Sequence, residues 1–145
     1  MKKFTIMLVL ATMLLSGCSF LNEVNDTLDY VGVTTEHIER LNTFAEEAPQ
    51  LVEDALSNPE LVTELEAKLT TLKTEIEEFI ALSDIPTIAE DIHQELVSKN
   101  ELLLEEINKV LENGHIALDK LENSQIFTTI SDVTSLMNRI ENLTQ

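Results

Sequence analysis

The sequence predicts an all-α fold, a bundle of three to four main antiparallel helices behind a short apolar leader. Three observations point to it. Three glycines and three prolines in 145 residues are too few for the turns of a multi-stranded β fold. Apolar residues recur at spacings of three and four over most of the chain, which is the period of one helix face. The length suits one modest domain, and no internal repeat or low-complexity tract divides it.

The leader comes first. Met1-Lys2-Lys3 is a short basic start, and the apolar stretch from Phe4 to Leu15 follows it. As a helix that stretch would reach roughly 18 Å, whereas a bilayer core needs about 30 Å. It therefore reads as the core of a signal peptide and not as a lasting membrane span. Leu15-Ser16-Gly17-Cys18 stands immediately behind it and resembles the lipobox of bacterial lipoproteins. The resemblance implies diacylglyceryl transfer to the Cys18 sulfur and cleavage before Cys18. Residues 1–17 would then be the signal peptide and 18–145 a lipid-anchored α-helical domain. Leu15 would fill an apolar subsite, Ser16 and Gly17 would let the peptidase approach, and Cys18 would supply the thiol. Two acyl chains suffice for stable anchoring. Cys18 is the only cysteine, so no intramolecular disulfide forms.

Charge limits the partners. The chain carries 27 acidic and 9 basic side chains, a formal −18. Loss of Lys2 and Lys3 with the leader takes two positive charges away and leaves −20. An anionic membrane face repels such a body. Nucleic acid is a poor partner too, because phosphate repels the chain and 4% aromatic residues offer few stacking platforms.

The first helical stripe runs from Leu21 through Val24, Leu28, Val31, Ile38, Leu41 and Phe44 or Ala45 to Ala48. Gly32 among β-branched neighbours at Val31-Gly32-Val33-Thr34-Thr35 predicts a kink or frayed turn. Pro49 and Pro59 both predict helix starts, giving a short helix over 50–56 and a long one from Pro59. The latter carries the cleanest stripe, Leu61, Leu65, Leu69, Leu72, Ile76, Phe79 and Ile80, and ends near Ser83-Asp84-Ile85-Pro86. A third helix is expected from about Pro86 to Asn113-Gly114, with Gly114 as its C-cap or as a kink into a helical continuation to Asn123. Ser124 or a neighbour would cap a last helix that turns Ile126, Ile130, Val133, Leu136 or Met137, Ile140 and Leu143 inward.

Candidate chemistry is sparse. Glu90-Asp91-Ile92-His93 and Glu112-Asn113-Gly114-His115 share the Glu-x-x-His spacing of di-iron bundles. Gly114 interrupts the second copy, however, and Glu90 falls off the Ile88, Ile92, Leu96 face. Solvated or half-buried histidines are the expectation, with no metal and no cofactor assigned. His37, beside Glu36 and Glu39, reads as a surface residue of the first helix. No catalytic residue is assigned: there is no G-x-S-x-G elbow, no D-x-D-x-D-G calcium loop and no glycine-rich phosphate cradle.

The segments from Cys18 to Val31, Thr43-Phe44-Ala45-Glu46-Glu47-Ala48-Pro49 and Ile88-Ala89-Glu90-Asp91-Ile92-His93 together resemble a family of small, functionally uncharacterised lipoproteins from Bacillus-type bacteria. The resemblance covers most of residues 1–100. It implies a Gram-positive host and the outer leaflet of the cytoplasmic membrane, and it carries over no catalytic residue. Leu21, Asn22, Val24, Asn25, Leu28 and Tyr30 form a candidate interaction surface near the membrane, against the structural reading that Asn22 and Asn25 only satisfy backbone groups. The expected function is a noncatalytic, lipid-anchored helical module that binds another envelope protein. Self-association through the Leu61 to Ile80 stripe, giving a homo-oligomer, is the alternative. A metal-binding bundle using His93 and His115 is the third reading.

Overall fold

The computed structural model describes residues 17–145 apart from residue 113. Helix α1 spans Gly17–Ala55 and contains Pro49. The predicted interruption at Val31 to Thr35 is absent, and so is a separate helix after Pro49. The reason is burial on one continuous face. Tyr30, Thr34, Ile38, Leu41, Phe44, Ala48, Val52 and Ala55 are all buried. Gly32 is exposed, with open space where a Cβ would stand, and Pro49 also lies on the outer side. A helical Gly costs about 1 kcal/mol and a helical Pro about 3. Burying one aliphatic side chain returns roughly 1.5–3 kcal/mol, so the inward face holds the helix through both.

Helix α2, Pro59–Ile80, starts where proline predicts. The Asn58 side chain accepts from the Glu60 N–H at 3.1 Å, Pro59 opens the first turn, and Glu60 sits at the positive end of the helix dipole. Its stripe Leu65, Leu69, Leu72, Ile76 and Phe79 is buried in the chain's own core. The face considered for self-pairing is therefore already used. After Pro86 a 3-10 turn, Thr87–Ala89, leads into α3, Glu90–Val110.

Gly114 neither caps nor kinks a helix. Leu111–Glu112 and His115–Ile116 form a small antiparallel hairpin, pairing Leu111 with Ile116 and Glu112 with His115. Gly114 takes φ +83° in its turn, a conformation that a side chain disfavours. Glu66 on α2 pins the hairpin, accepting from the Ile116 N–H at 2.9 Å. The last arm is broken into α4 (Leu118–Glu122), α5 (Ile126–Thr134), α6 (Met137–Glu141) and a 3-10 turn over Asn142–Thr144. No side chain of its own caps α5. The Gln125 N–H instead donates to Glu106 Oε2 on α3 at 3.2 Å. Ser124, the expected cap, donates to the Leu121 carbonyl.

Paired residues give the helix directions. Arg40 meets Glu75 and Glu47 meets Lys68, so α1 and α2 run antiparallel. Glu106 meets Gln125, Lys99 meets Asp132 and Glu95 meets Arg139, so the last arm runs antiparallel to α3. Tyr30 meets His93 and His37 meets Asn100, so α1 and α3 run parallel. α2 and α5 each pack beside both α1 and α3, which places α1 and α3 across the diagonal of an up-down-up-down bundle.

Two substitutions test the account of α1, and a third tests the hairpin. Gly32→Ala should stabilise the protein by about 0.5–1 kcal/mol and Pro49→Ala by about 1–3 kcal/mol. Gly114→Ala should cost about 1 kcal/mol through its positive φ. Urea denaturation with unchanged m-values checks all three, and a loss of stability in Pro49→Ala would refute the claim that burial holds α1 together against its proline.

Candidate functional site

Thr34, within the expected kink or frayed turn, and His37, expected at the surface, lie inside the bundle. On α1, Tyr30, Thr34 and His37 share the inward face at steps of four and three. On α3, His93 and Asn100 lie seven residues apart on its inward face. The chain thereby sets two polar layers across the diagonal.

In the first layer the Tyr30 hydroxyl and His93 Nδ1 are 3.3 Å apart and their rings meet edge-on. In the second, His37 Nε2 lies 2.9 Å from Asn100 Oδ1, while Asn100 Nδ2 donates to the Leu96 carbonyl at 2.9 Å. That second bond fixes the amide orientation, so Oδ1 accepts and the His37 Nε2–H donates. Phe79 from α2 stacks on His37 at a centroid distance of 4.2 Å, with planes only 4° apart. It also lies 5.6 Å from the His93 ring, joining the layers.

Burial pushes the pKa of His37 below the ordinary 6.5. The Asn100 hydrogen bond and the Glu75 charge act upward there, and the Arg40 charge acts downward. Burial also lowers His93 and raises the Tyr30 phenol, the latter opposed by Thr34. Thr34 Oγ1 is itself buried without a hydrogen-bond partner of normal geometry.

The other sequence-derived candidates separate in space. His93 sits in the core, whereas His115 is exposed on the hairpin with its Nδ1 3.3 Å from Glu66 Oε1. Among the described residues no group of three or more His, Cys, Asp or Glu side chains converges as a metal site. Leu15 and Ser16 lie outside the described residues, and Gly17 and Cys18 open the α1 backbone. Leu21 and Asn22 belong to the same helix by backbone alone. Of the candidate interaction surface, Val24, Asn25 and Leu28 are exposed, but Tyr30 is 5% exposed and belongs to the core. Val24 and Leu28 meet Ile88 and Leu143 in an open groove of about 600 Å³. No helix of the described residues is long and apolar enough to cross a membrane.

A four-armed helical bundle with buried polar layers, carried behind a sequence that resembles a lipobox, is the class these features define. Residues 30–143 match the model of a family of unknown function, DUF6376, and the chain belongs to that family. It is similar to the uncharacterised lipoprotein YybP of Bacillus subtilis (strain 168), with 35% identity over 130 residues covering 88% of this chain and 87% of the relative. The resemblance to Bacillus lipoproteins is thus borne out. No solved structure matches the chain.

Two expectations follow from the layers. The unfolded chain protonates His37 and His93 near pH 6.5 and the folded chain only at lower pH. Stability should accordingly be complete above about pH 6.5 and decline as pH falls through and below it. Melting temperature against pH should show this, and the His37→Gln/His93→Gln double variant should lose most of the slope. Asn100→Ala should cost about 1–3 kcal/mol by leaving the His37 N–H unpaired. The penalty should shrink in a His37→Leu background, as a double-mutant cycle would measure.

Proposed function

We propose that the protein is a noncatalytic helical module, tethered through diacylglyceryl on Cys18 to the extracytoplasmic face of the cell membrane, that binds another envelope protein. The lipobox residues Leu15, Ser16, Gly17 and Cys18 and the similarity to a named lipoprotein support the tether. The noncatalytic reading draws support from the use of His37, His93, Tyr30 and Asn100 in joining helices. One observation carries the binding role. Of the large apolar side chains that stand exposed among the described residues, Val24, Leu28, Val33 and Ile88 gather at the Cys18 end of the bundle, while only Leu56 and Leu102 lie elsewhere. Clustering of exposed apolar surface marks contact sites.

Two measurements test this reading. Cys18→Ser should leave the leader uncleaved and abolish acyl labelling, and an intact-mass spectrum reads both. A photocrosslinking residue in place of Leu28 should give one discrete, saturable adduct with a second protein in native membranes. The same residue in place of Thr63, exposed on α2, should give none. Equal crosslinking at both positions, or none at either, rejects the module.

A further inference from the structure

We propose that the furrow between α1 and the turn after α2 takes a basic amphipathic segment of the partner protein, with Lys or Arg on one face and aliphatic side chains on the other. This rests on the interaction-module reading above and specifies its partner.

The furrow begins as a cleft of about 540 Å³ with an apolar floor that includes Val33, Leu82, Ile85 and Pro86. Asp26, Asp29 and Asp84 rim it. Val33 and Leu82 also line the next cleft along α1, so the two are continuous. Glu36, Glu75 and Glu78 rim the second cleft, and its one cation, Arg40, is already paired with Glu36 and Glu75. Six carboxylates thus face one neutralised guanidinium along an apolar floor. Among the described residues no cation pairs with Asp26, Asp29 or Asp84.

The α1 side of the furrow is a single stripe, Asp26, Asp29, Val33, Glu36 and Arg40, with steps of three and four. From Asp26 to Arg40 it rises roughly 21 Å at 1.5 Å per residue. That length fits about four turns of a docked helix, whose apolar face would meet Val33 and Leu82 while its cations met the carboxylate rims. Charge complementarity of this kind selects the partner and speeds encounter more than it adds affinity. It also disfavours the anionic lipid surface as occupant.

The test uses the full, lipid-modified protein in phosphatidylcholine nanodiscs. The probe is a fluorescein-labelled 15-residue helical peptide of Leu and Lys with its charges on one face. A peptide of the same composition in scrambled order serves as control. Fluorescence anisotropy should show saturable binding of the amphipathic peptide, weakening with salt. Asp26→Asn/Asp29→Asn/Asp84→Asn should weaken it about tenfold, each exposed pair being worth about a factor of two. Glu53→Gln/Glu60→Gln/Glu64→Gln removes the same charge elsewhere and should change it less than about twofold. Val33→Ser should also weaken it.

Equal losses in the two triple variants, or equal binding of the scrambled peptide, would show a diffuse polyanion and overturn the proposal. Binding of the furrow to protein-free anionic vesicles that the first triple variant abolishes would make the occupant a membrane and overturn it as well. A discrete Leu28 crosslink with no peptide binding in the furrow would leave the module standing and remove only this assignment.

Discussion

The bundle depends on the register between its two diagonal helices. Tyr30 pairs with His93 and His37 with Asn100, so both pairs join residues 63 apart in sequence. α1 and α3 pack against common neighbours more than against each other, and the long polar side chains bridge the distance between them. Sliding one helix by a heptad so that His37 meets His93 would set Tyr30 opposite Pro86 and Asn100 opposite Phe44, leaving the Tyr30 hydroxyl and Asn100 Oδ1 without partners. An unmade buried hydrogen bond costs about 1–3 kcal/mol. Two of them consume a large share of the roughly 5–15 kcal/mol that holds a domain folded. An apolar core made of similar leucine and isoleucine layers would not discriminate so sharply, and a polar residue at a core position is a known device for fixing register. Phe79 then ties α2 to both layers by stacking on His37 and approaching His93.

Much of this architecture was legible in the chain. Asn58-Pro59-Glu60 marks the start of α2 through side-chain chemistry that acts locally, and the structure uses each residue as its type predicts. The apolar stripes of α2 and α3 follow the helical period closely, and their members Leu65, Leu69, Leu72, Ile76, Leu96, Leu103 and Ile107 are buried. What escaped is nonlocal. Gly32 and Pro49 are unfavourable by propensity, and only tertiary burial of the opposite face shows that α1 continues through them. Gly114 signals a turn, but a hairpin held by Glu66, some fifty residues away, leaves no mark in the flanking sequence.

The polar layers were hidden for a different reason. His37 has Glu36 and Glu39 as neighbours, which suggests a solvated face. Yet it stands four residues before Leu41 and three after Thr34, on the buried side. Its signal was the seven-residue step from Tyr30, matched by the seven-residue step from His93 to Asn100. Asn100 gave the same hint, lying four residues after Leu96 and three before Leu103. Polar residues that continue an apolar stripe point inward, and when two helices show the same interval between them, pairing is the economical explanation. Tyr30 is turned inward on the same principle. Nearness to Asn22, Asn25 and Leu28 in sequence said nothing about its side of the helix.

A tether at Cys18 would turn helix geometry into a height scale. At 1.5 Å per residue Val33 lies about 22 Å from Cys18 along α1, and Ala55 about 55 Å. The exposed apolar residues Val24, Leu28 and Val33 all fall in the lower part of that range. A partner held in the same membrane would meet that zone at an effective concentration set by the two anchors, so even weak contacts would suffice. A freely diffusing partner would gain nothing from that placement and could as well use the far end, where Leu56 is exposed beside Pro49 and Phe127. Given such a tether and a binding role, the uneven distribution of exposed apolar side chains along α1 would favour a neighbour that is itself confined to the membrane.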